Sequence, residues 1–160
     1  MNYSIQRVGN SRLLYKSGQV EAFSAWFDEM CALDHFITSH HRLHLATHHF
    51  YCYFFGQKEE EAATLWYGRE VVGFDNQLSP GLAFFDGHSG EVLTFELEAD
   101  AIKNVEALFK VMNKLREQVG QESLAKTWRV KISDIDNEVT SHGKQNLIYP
   151  KILLQFFKNC

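Results

Sequence analysis

The sequence is poor in cysteine and proline and has no long apolar run. Its three cysteines, Cys31, Cys52 and Cys160, are odd in number and lack CxxC spacing, which argues against a disulfide framework and a zinc knuckle. No stretch approaches the ~20 apolar residues that a membrane span requires, and the first residues lack the pattern of a signal peptide. These absences predict a cytoplasmic protein without a membrane partner.

Positive charge is also scarce. The chain has 16 Lys and Arg against 20 Asp and Glu, so its formal net charge is −4. A protein that binds nucleic acid through its overall field needs a clustered positive surface. The composition therefore predicts no direct contact with nucleic acid and favours a neutral or basic partner.

The common catalytic motifs are missing. The sequence has no GxSxG nucleophile turn, no GxGxxG or GxxxxGK[ST] phosphate loop and no HExxH metal motif. It therefore indicates no catalytic residue. Whether the protein is an enzyme stays open, and the absences weigh against it.

Length and patterning predict one α+β domain over residues 1–160. The 160 residues are 45% apolar, enough for one core, and no linker or internal repeat is visible. Helical spacing of apolar residues predicts helices at residues 19–33 and 100–120. We expect an antiparallel sheet of about five to seven strands, with these two main helices packed on one face.

Several segments have the features of strands. Residues 43–55, rich in aromatic residues and Thr, predict the central strand, and residues 127–132 alternate in the manner of a half-buried strand. Four apolar runs within residues 63–97 predict a meander, with its clearest hairpin around residues 86–90. A second hairpin is predicted at residues 3–16, whereas residues 146–157 fit either a strand or a short helix.

Six of the eight histidines lie between His35 and His49. On a helix, His40, His44 and His48 would share one face at metal-ligand spacing, which is the pattern of a zinc site. The run supplies no carboxylate to orient the imidazoles, and its later residues favour a strand. We therefore expect no metal or cofactor, and keep as an alternative a small zinc- or histidine-dependent enzyme that uses residues 40–49.

Two acidic groups are candidate binding surfaces. One is the run of glutamates after the central strand; the other follows residues 127–132 but lacks the glycine and closing glutamate of a calcium loop. Acidic surfaces select basic partners, and large aromatic side chains anchor interfaces. The predicted partner-binding residues are Glu59, Glu60, Glu61, Trp66, Tyr67, Asp134, Asp136 and Glu138.

The leading hypothesis from the sequence is a non-catalytic protein-binding module. Its concrete form is a bacterial immunity or antitoxin-type protein that binds and neutralises a basic, nuclease-like toxin domain. The metal-dependent enzyme is the first alternative. The second is a homo-oligomeric regulatory module in which exposed aromatic side chains are buried against another copy of the chain.

Overall fold

The computed structural model describes residues 3–58, 64–87, 89–120, 124–133, 138–139, 145–146 and 151–158. Its helices are α1 (Trp26–Ser39) and α2 (Val105–Val119), each preceded by a short 3₁₀ helix, at Val20–Ala25 and Ala99–Ile102. The strands are β1 (Ser4–Val8), β2 (Arg12–Gln19), β3 (Leu43–Phe54), β4 (Thr64–Gly73), β5 (Leu82–Asp86), β6 (Gly90–Leu97), β7 (Leu124–Ser133), β8 (Glu138–Val139), β9 (Gln145–Asn146) and β10 (Lys151–Lys158).

Eight of these strands form one antiparallel sheet in the order β1-β6-β10-β7-β3-β4-β2-β5, and β8 pairs with β9 separately. The predicted α+β class is confirmed, but the expected five to seven strands are too few. The difference arises because the C-terminal segment is a strand, and because the N-terminal segments join the same sheet. Strand β3 lies between β4 and β7, within the sheet as predicted.

Neither predicted hairpin forms. Strand β1 pairs with β6, and β2 pairs with β5. The segment β1–β2 and the segment β5–β6 therefore run alongside each other as one two-stranded ribbon. The backbone N–H of Gly87 donates to the carbonyl of Ser11 at 2.6 Å, between the two ladders. The turn-forming residues at 9–11, Gly87 and Ser89 therefore lie where a two-stranded ribbon bends, and the predicted strands do not pair with each other.

This bend implies that the sheet is strongly curled. Five strands separate β1 from β2, which would place them about 29 Å apart in a flat sheet. The chain from Val8 to Arg12 can span only about 15 Å. Tyr53 of β3 and Phe85 of β5 are three strands apart, yet their ring centroids are 5.7 Å apart. The two edges of the sheet therefore approach each other and enclose a concave face.

The predicted meander is also wrong in its details. Two of its apolar runs form the single strand β4, because Gly68 continues the ladder between Tyr15 and Tyr51. Helix α1 extends to Ser39, six residues beyond its predicted end, and the first part of the predicted helix is the 3₁₀ segment. Pairing in the sheet follows contacts distant in sequence, which local turn signals do not report.

The chain contains a structural repeat that is not visible in the sequence. The first half runs β1-β2-α1-β3-β4, and the second runs β5-β6-α2-β7-β10. If each strand is replaced by its counterpart in the other half, the strand order of the sheet is the same read from the opposite edge. Strands β3 and β7 are counterparts and lie side by side at the centre. The outermost strands cross over, since β1 pairs with the second half and β5 with the first.

Both helices pack on the same face of the sheet, as predicted. The ring of Phe54 stacks on Trp128 at 4.3 Å. Phe23, in the 3₁₀ helix that precedes α1, packs edge-on against Phe54, and Phe109 of α2 packs edge-on against Trp128. The indole N–H of Trp128 donates to the carbonyl of Gly56 at 2.8 Å. Across the described residues, no helix is long and apolar enough to span a membrane. The helices leave the concave face uncovered.

Candidate functional site on the concave face

One row of directly opposed residues crosses the concave face. Tyr53 lies opposite Arg129, Arg129 opposite Gln155, and Gln155 opposite Thr94. Residues opposed in an antiparallel ladder present their side chains on the same face, close enough to interact. The register of four adjacent strands therefore brings Tyr53 and Arg129, on the two central strands, together with Gln155 and Thr94, on the next two strands to one side.

The four side chains form a continuous hydrogen-bonded chain, called here the Arg129 network. Arg129 donates from Nη1 to the hydroxyl of Tyr53 at 2.7 Å and from Nε to Oε1 of Gln155 at 2.5 Å. Gln155 in turn donates from Nε2 to Oγ1 of Thr94 at 3.2 Å. All four residues are buried, with at most 4% of any of them exposed.

Arg129 is enclosed by aromatic rings. Its guanidinium carbon lies 4.3 Å from the ring centroid of Tyr51, 5.6 Å from that of Tyr53 and 5.3 Å from that of Phe157. A cation over a ring face is stabilised by the ring's quadrupole, more so when it is desolvated. The positive charge of Arg129 is therefore held by neutral oxygens and rings.

A second row lies beside the first, with Tyr51 opposite Lys131. The hydroxyl of Tyr51 donates to Oε1 of Glu70. Burial raises the pKa of Tyr51, and the hydrogen bond to Glu70 raises it further. The phenol therefore keeps its proton at neutral pH and remains a donor.

Above these rows the structure has an open cleft of about 270 Å³. A neighbouring cleft of about 440 Å³ shares Asn10, Ser11 and Glu70 with it, so the two are continuous at this edge. We use "the cleft" for the smaller one, which is lined by Val8, Gly9, Asn10, Ser11, His49, Tyr51, Glu70, Arg129 and Lys131.

Regular pairing with β7 places His49 on the same face of β3 as Tyr51, while the pairing with β4 is interrupted beside it by a β-bulge. The β3–β4 register shifts between Leu45 and Phe50. Within the shifted segment, Nη1 of Arg69 donates to the backbone carbonyl of His48 at 3.0 Å. Bulges redirect side chains and are common beside functional sites. Burial lowers the pKa of His49, and nearby Lys131 lowers it further. Its Nδ1 is buried and has no hydrogen-bond partner among the described residues.

The other histidines of the cluster do not converge. His40 ends α1, and its Nε2 lies 2.9 Å from Oδ2 of Asp75. His44 and His48 are exposed on β3. Within the described ranges, no three His, Cys, Asp or Glu side chains are grouped to hold a metal ion. The geometry therefore offers no support for the zinc-dependent alternative.

The predicted partner-binding residues are scattered or lie outside the described part of the chain. Glu59, Glu60, Glu61, Asp134 and Asp136 lie outside it, and Glu138 is described only through its backbone pairing with Asn146. Trp66 is half-buried on the concave side and stacks on Tyr15 at 4.2 Å. Tyr67 is only 2% exposed and packs against Phe50 on the helix side.

Sequence reasoning missed the residues that line the concave face. It separated outward Arg129 and Lys131 from inward Trp128 correctly, but the outward face is the floor of a cleft. The available signal was β3 itself, where Tyr51 and Tyr53 alternate with apolar neighbours. Hydroxyl-bearing rings on the second face of a central strand indicate that this face is also enclosed.

No family model matches this chain, and no curated protein sequence matches it. Several solved structures are similar to it. The EcmrR chain in its complex with DNA aligns with a TM-score of 0.67 at 14% identity, over 99% of this chain and 57% of EcmrR. The crystal structure of the EcmrR C-terminal domain aligns with a TM-score of 0.66 at 14% identity, over 99% of this chain and 97% of that domain.

Two further structures are similar. A putative transcription regulation protein from Staphylococcus aureus has a TM-score of 0.60 at 14% identity and 99% coverage of both chains. A hydrolase from Listeria innocua has a TM-score of 0.52 at 10% identity, over 98% of this chain and 91% of the hydrolase. Likeness at this identity shows the fold alone. The chain thus has the fold of the EcmrR C-terminal domain and spans little more than half of the EcmrR chain.

Proposed function

We propose that this chain is a ligand-binding domain that holds a small organic molecule in the cleft. The observation that carries the proposal is the position of the Arg129 network. Four buried polar side chains lie on the face of the sheet opposite α1 and α2, and one of them, Arg129, lines an open cleft. Binding sites combine apolar and aromatic walls with a few convergent polar groups, and this arrangement has both.

The less polar part of the cleft lining consists of Val8, His49 and Tyr51. Tyr51 belongs to a buried cluster on the concave side that also contains Leu13, Tyr53, Val92 and Phe157, with Phe85 packed against it. Apart from Tyr51, these residues do not line the cleft but pack beneath it. Rings beside hydrogen-bonding groups favour a planar organic molecule over a metal ion or an extended polymer.

The solved structures support a regulatory use of this binding. EcmrR has been solved in complex with DNA, and the part of it that this chain matches is its C-terminal domain. We propose that the chain senses its ligand in the cytoplasm and does not itself contact DNA, which its net charge of −4 also favours. The immunity-protein hypothesis remains a prediction, because most of its acidic residues lie outside the described ranges.

The test is a ligand screen with a variant that blocks the cleft. The compounds are one- and two-ring aromatic carboxylates, amides and amines, with aliphatic compounds of the same size. A ligand present at 100 times its Kd should raise the free energy of unfolding by about 2.7 kcal/mol, detected as a higher Tm. Isothermal titration should then give saturable binding with one site per chain.

Gly9→Trp is the blocking variant. Gly9 lines the cleft, a Cβ there would meet nothing within 4 Å, and its φ is outside the left-handed region. Lys110→Trp, at an exposed position of α2 on the other face of the sheet, is the control. We expect Gly9→Trp to abolish binding and Lys110→Trp to preserve it. Absence of saturable binding across the screen, or equal binding by both variants, would contradict the proposal.

A further inference from the structure

We infer that the cleft selects an anion, and that its ligand is a planar aromatic monocarboxylate whose charged group lies against Lys131 with Arg129 behind it. This inference rests on the proposed function and specifies the ligand of the same site. It depends on the charges around the cleft, on their partners, and on the shape of the surface beside them.

The lining of the cleft has more positive than negative side chains. Of its nine residues, Arg129 and Lys131 are basic and only Glu70 is acidic. Glu70 already accepts the hydroxyl of Tyr51. Among the described residues, no carboxylate lies within ion-pair distance of Arg129 or Lys131. Within these residues, the positive charge on this wall is therefore not paired with a carboxylate in direct contact.

The two cations are held close together. They are two residues apart on β7, so their side chains lie on the same face of the strand. Arg129 is 3% exposed, and Lys131 is partly buried at the surface of the cleft. Burial lowers the pKa of Lys131, the charge of Arg129 lowers it further, and the charge of Glu70 offsets part of this decrease. A bound anion reduces both the repulsion and the desolvation cost, whereas a cation increases the repulsion.

The surroundings also indicate the size and charge of the anion. Glu70 is on β4, on the other side of β3 from Lys131, and would repel a second negative charge, which favours a monoanion over a phosphate dianion. His49 lines the cleft and is only partly buried, so its imidazole ring gives a planar group beside which an aromatic ring can pack.

Three probes with the same ring system test the charge preference: 2-naphthoate, 2-naphthamide and 2-naphthylmethylamine. They carry a negative, a neutral and a positive group. Isothermal titration at low salt should show 2-naphthoate binding about tenfold or more tightly than the amide, with the amine weakest. Raising the salt from 0.05 to 0.5 M should weaken the naphthoate selectively, because salt screens its attraction to Lys131.

Lys131→Met tests the residue, since it keeps much of the length of the side chain and removes the charge. We expect about a tenfold or greater loss of naphthoate affinity and little change for the amide. Lys110→Met, on the exposed face of α2, makes the same change of net charge far from the cleft and should leave both affinities unchanged.

The possible outcomes separate the two proposals. Tighter binding of the amine or amide than of the naphthoate, blocked by Gly9→Trp, would refute the anion preference and leave the ligand-binding function standing. An equal loss of naphthoate and amide affinity in Lys131→Met would show that Lys131 acts by packing and would also overturn the inference. If no compound of the wider screen binds, the proposed function itself fails.

Discussion

Asp34 on α1 and Arg69 on β4 form a two-bonded ion pair, in which Nε donates to Oδ1 and Nη2 to Oδ2, each at 2.6 Å. Arg69 is fully buried on the helix side of the sheet, and its Nη1 also donates to His48 in the β3 bulge. One guanidinium therefore joins a helix, a strand and the bulge that carries His49. The ion pair lies on the opposite face of the sheet from the cleft but supports one of its walls.

Removing the charge of Asp34 should destabilise the protein. Loss of one partner from a buried ion pair typically costs 3–5 kcal/mol, and we expect about 3 kcal/mol for Asp34→Asn because water reaches this carboxylate. Urea unfolding followed by tryptophan fluorescence measures the change. Asp28→Asn, at an exposed position of the same helix, is the control. Equal stability of the two variants would show that Arg69 does not depend on Asp34.

The Tyr53 hydroxyl should contribute to stability through Arg129. Tyr53→Phe keeps the ring and removes the oxygen that accepts from Nη1, which leaves a buried guanidinium donor without that bond. We expect a loss of about 1–3 kcal/mol in the free energy of unfolding. Tyr15→Phe is the matched control, because the Tyr15 hydroxyl makes no hydrogen bond among the described residues. A neutral Tyr53→Phe variant would mean that Arg129 finds another acceptor.

Gly73 should not tolerate a side chain. Its φ is +102°, and a Cβ would lie 2.0 Å from the backbone oxygen of Arg42, where the ends of β3 and β4 meet. Strain in this backbone region costs 1–3 kcal/mol, and the backbone contact adds to it, so Gly73→Ala should lose about 3 kcal/mol or more. Thermal unfolding compares it with Gly9→Ala, whose Cβ meets nothing within 4 Å. Similar Tm values for the two variants would contradict this reading of Gly73.

His49 should make the protein less stable in mild acid. Burial lowers its pKa in the folded state below the unfolded value near 6.5, so the unfolded chain takes up a proton first as the pH falls. The His49 contribution is therefore fully present above about pH 7 and decreases as the pH drops from 6.5 through the folded-state pKa. His49→Gln should flatten this part of the curve in urea titrations at pH 5 to 8.

His44→Gln, at an exposed position of the same strand, is the control for that measurement. It changes one imidazole without disturbing the cleft. If His49→Gln and the unmodified protein have the same slope between pH 5 and 7, the burial of His49 does not affect the folding equilibrium.

The predictions from the sequence were reliable where the signal is local. The alternation of Trp128, Val130 and Ile132 against Arg129 and Lys131 specifies the faces of β7, and aromatic content placed β3 inside the sheet. Strand pairing depends on contacts across the whole chain. The turn residues at 86–90 have the chemistry of a hairpin, but β5 and β6 each find a better partner in the other half.

The cleft could not be predicted for the same reason. Arg129 meets Tyr53 across 76 positions and Gln155 across 26, and each contact requires the correct register of its ladder. A shift of one residue in β7 would turn Arg129 to the helix side and Trp128 toward the cleft. Residue types identified candidates such as His40 and His44, whereas register determines which side chains meet.

The repeated architecture has a consequence for how a ligand is oriented. The approximate twofold relation between the halves passes between β3 and β7, the strands that carry Tyr53 and Arg129. In an assembly of two identical chains, a residue beside such an axis occurs twice, and a ligand there can bind in either of two directions. The two halves of this chain differ in sequence, and a phenol on β3 faces a guanidinium on β7. If a ligand binds as proposed, its two ends meet different chemistry, and we expect one orientation.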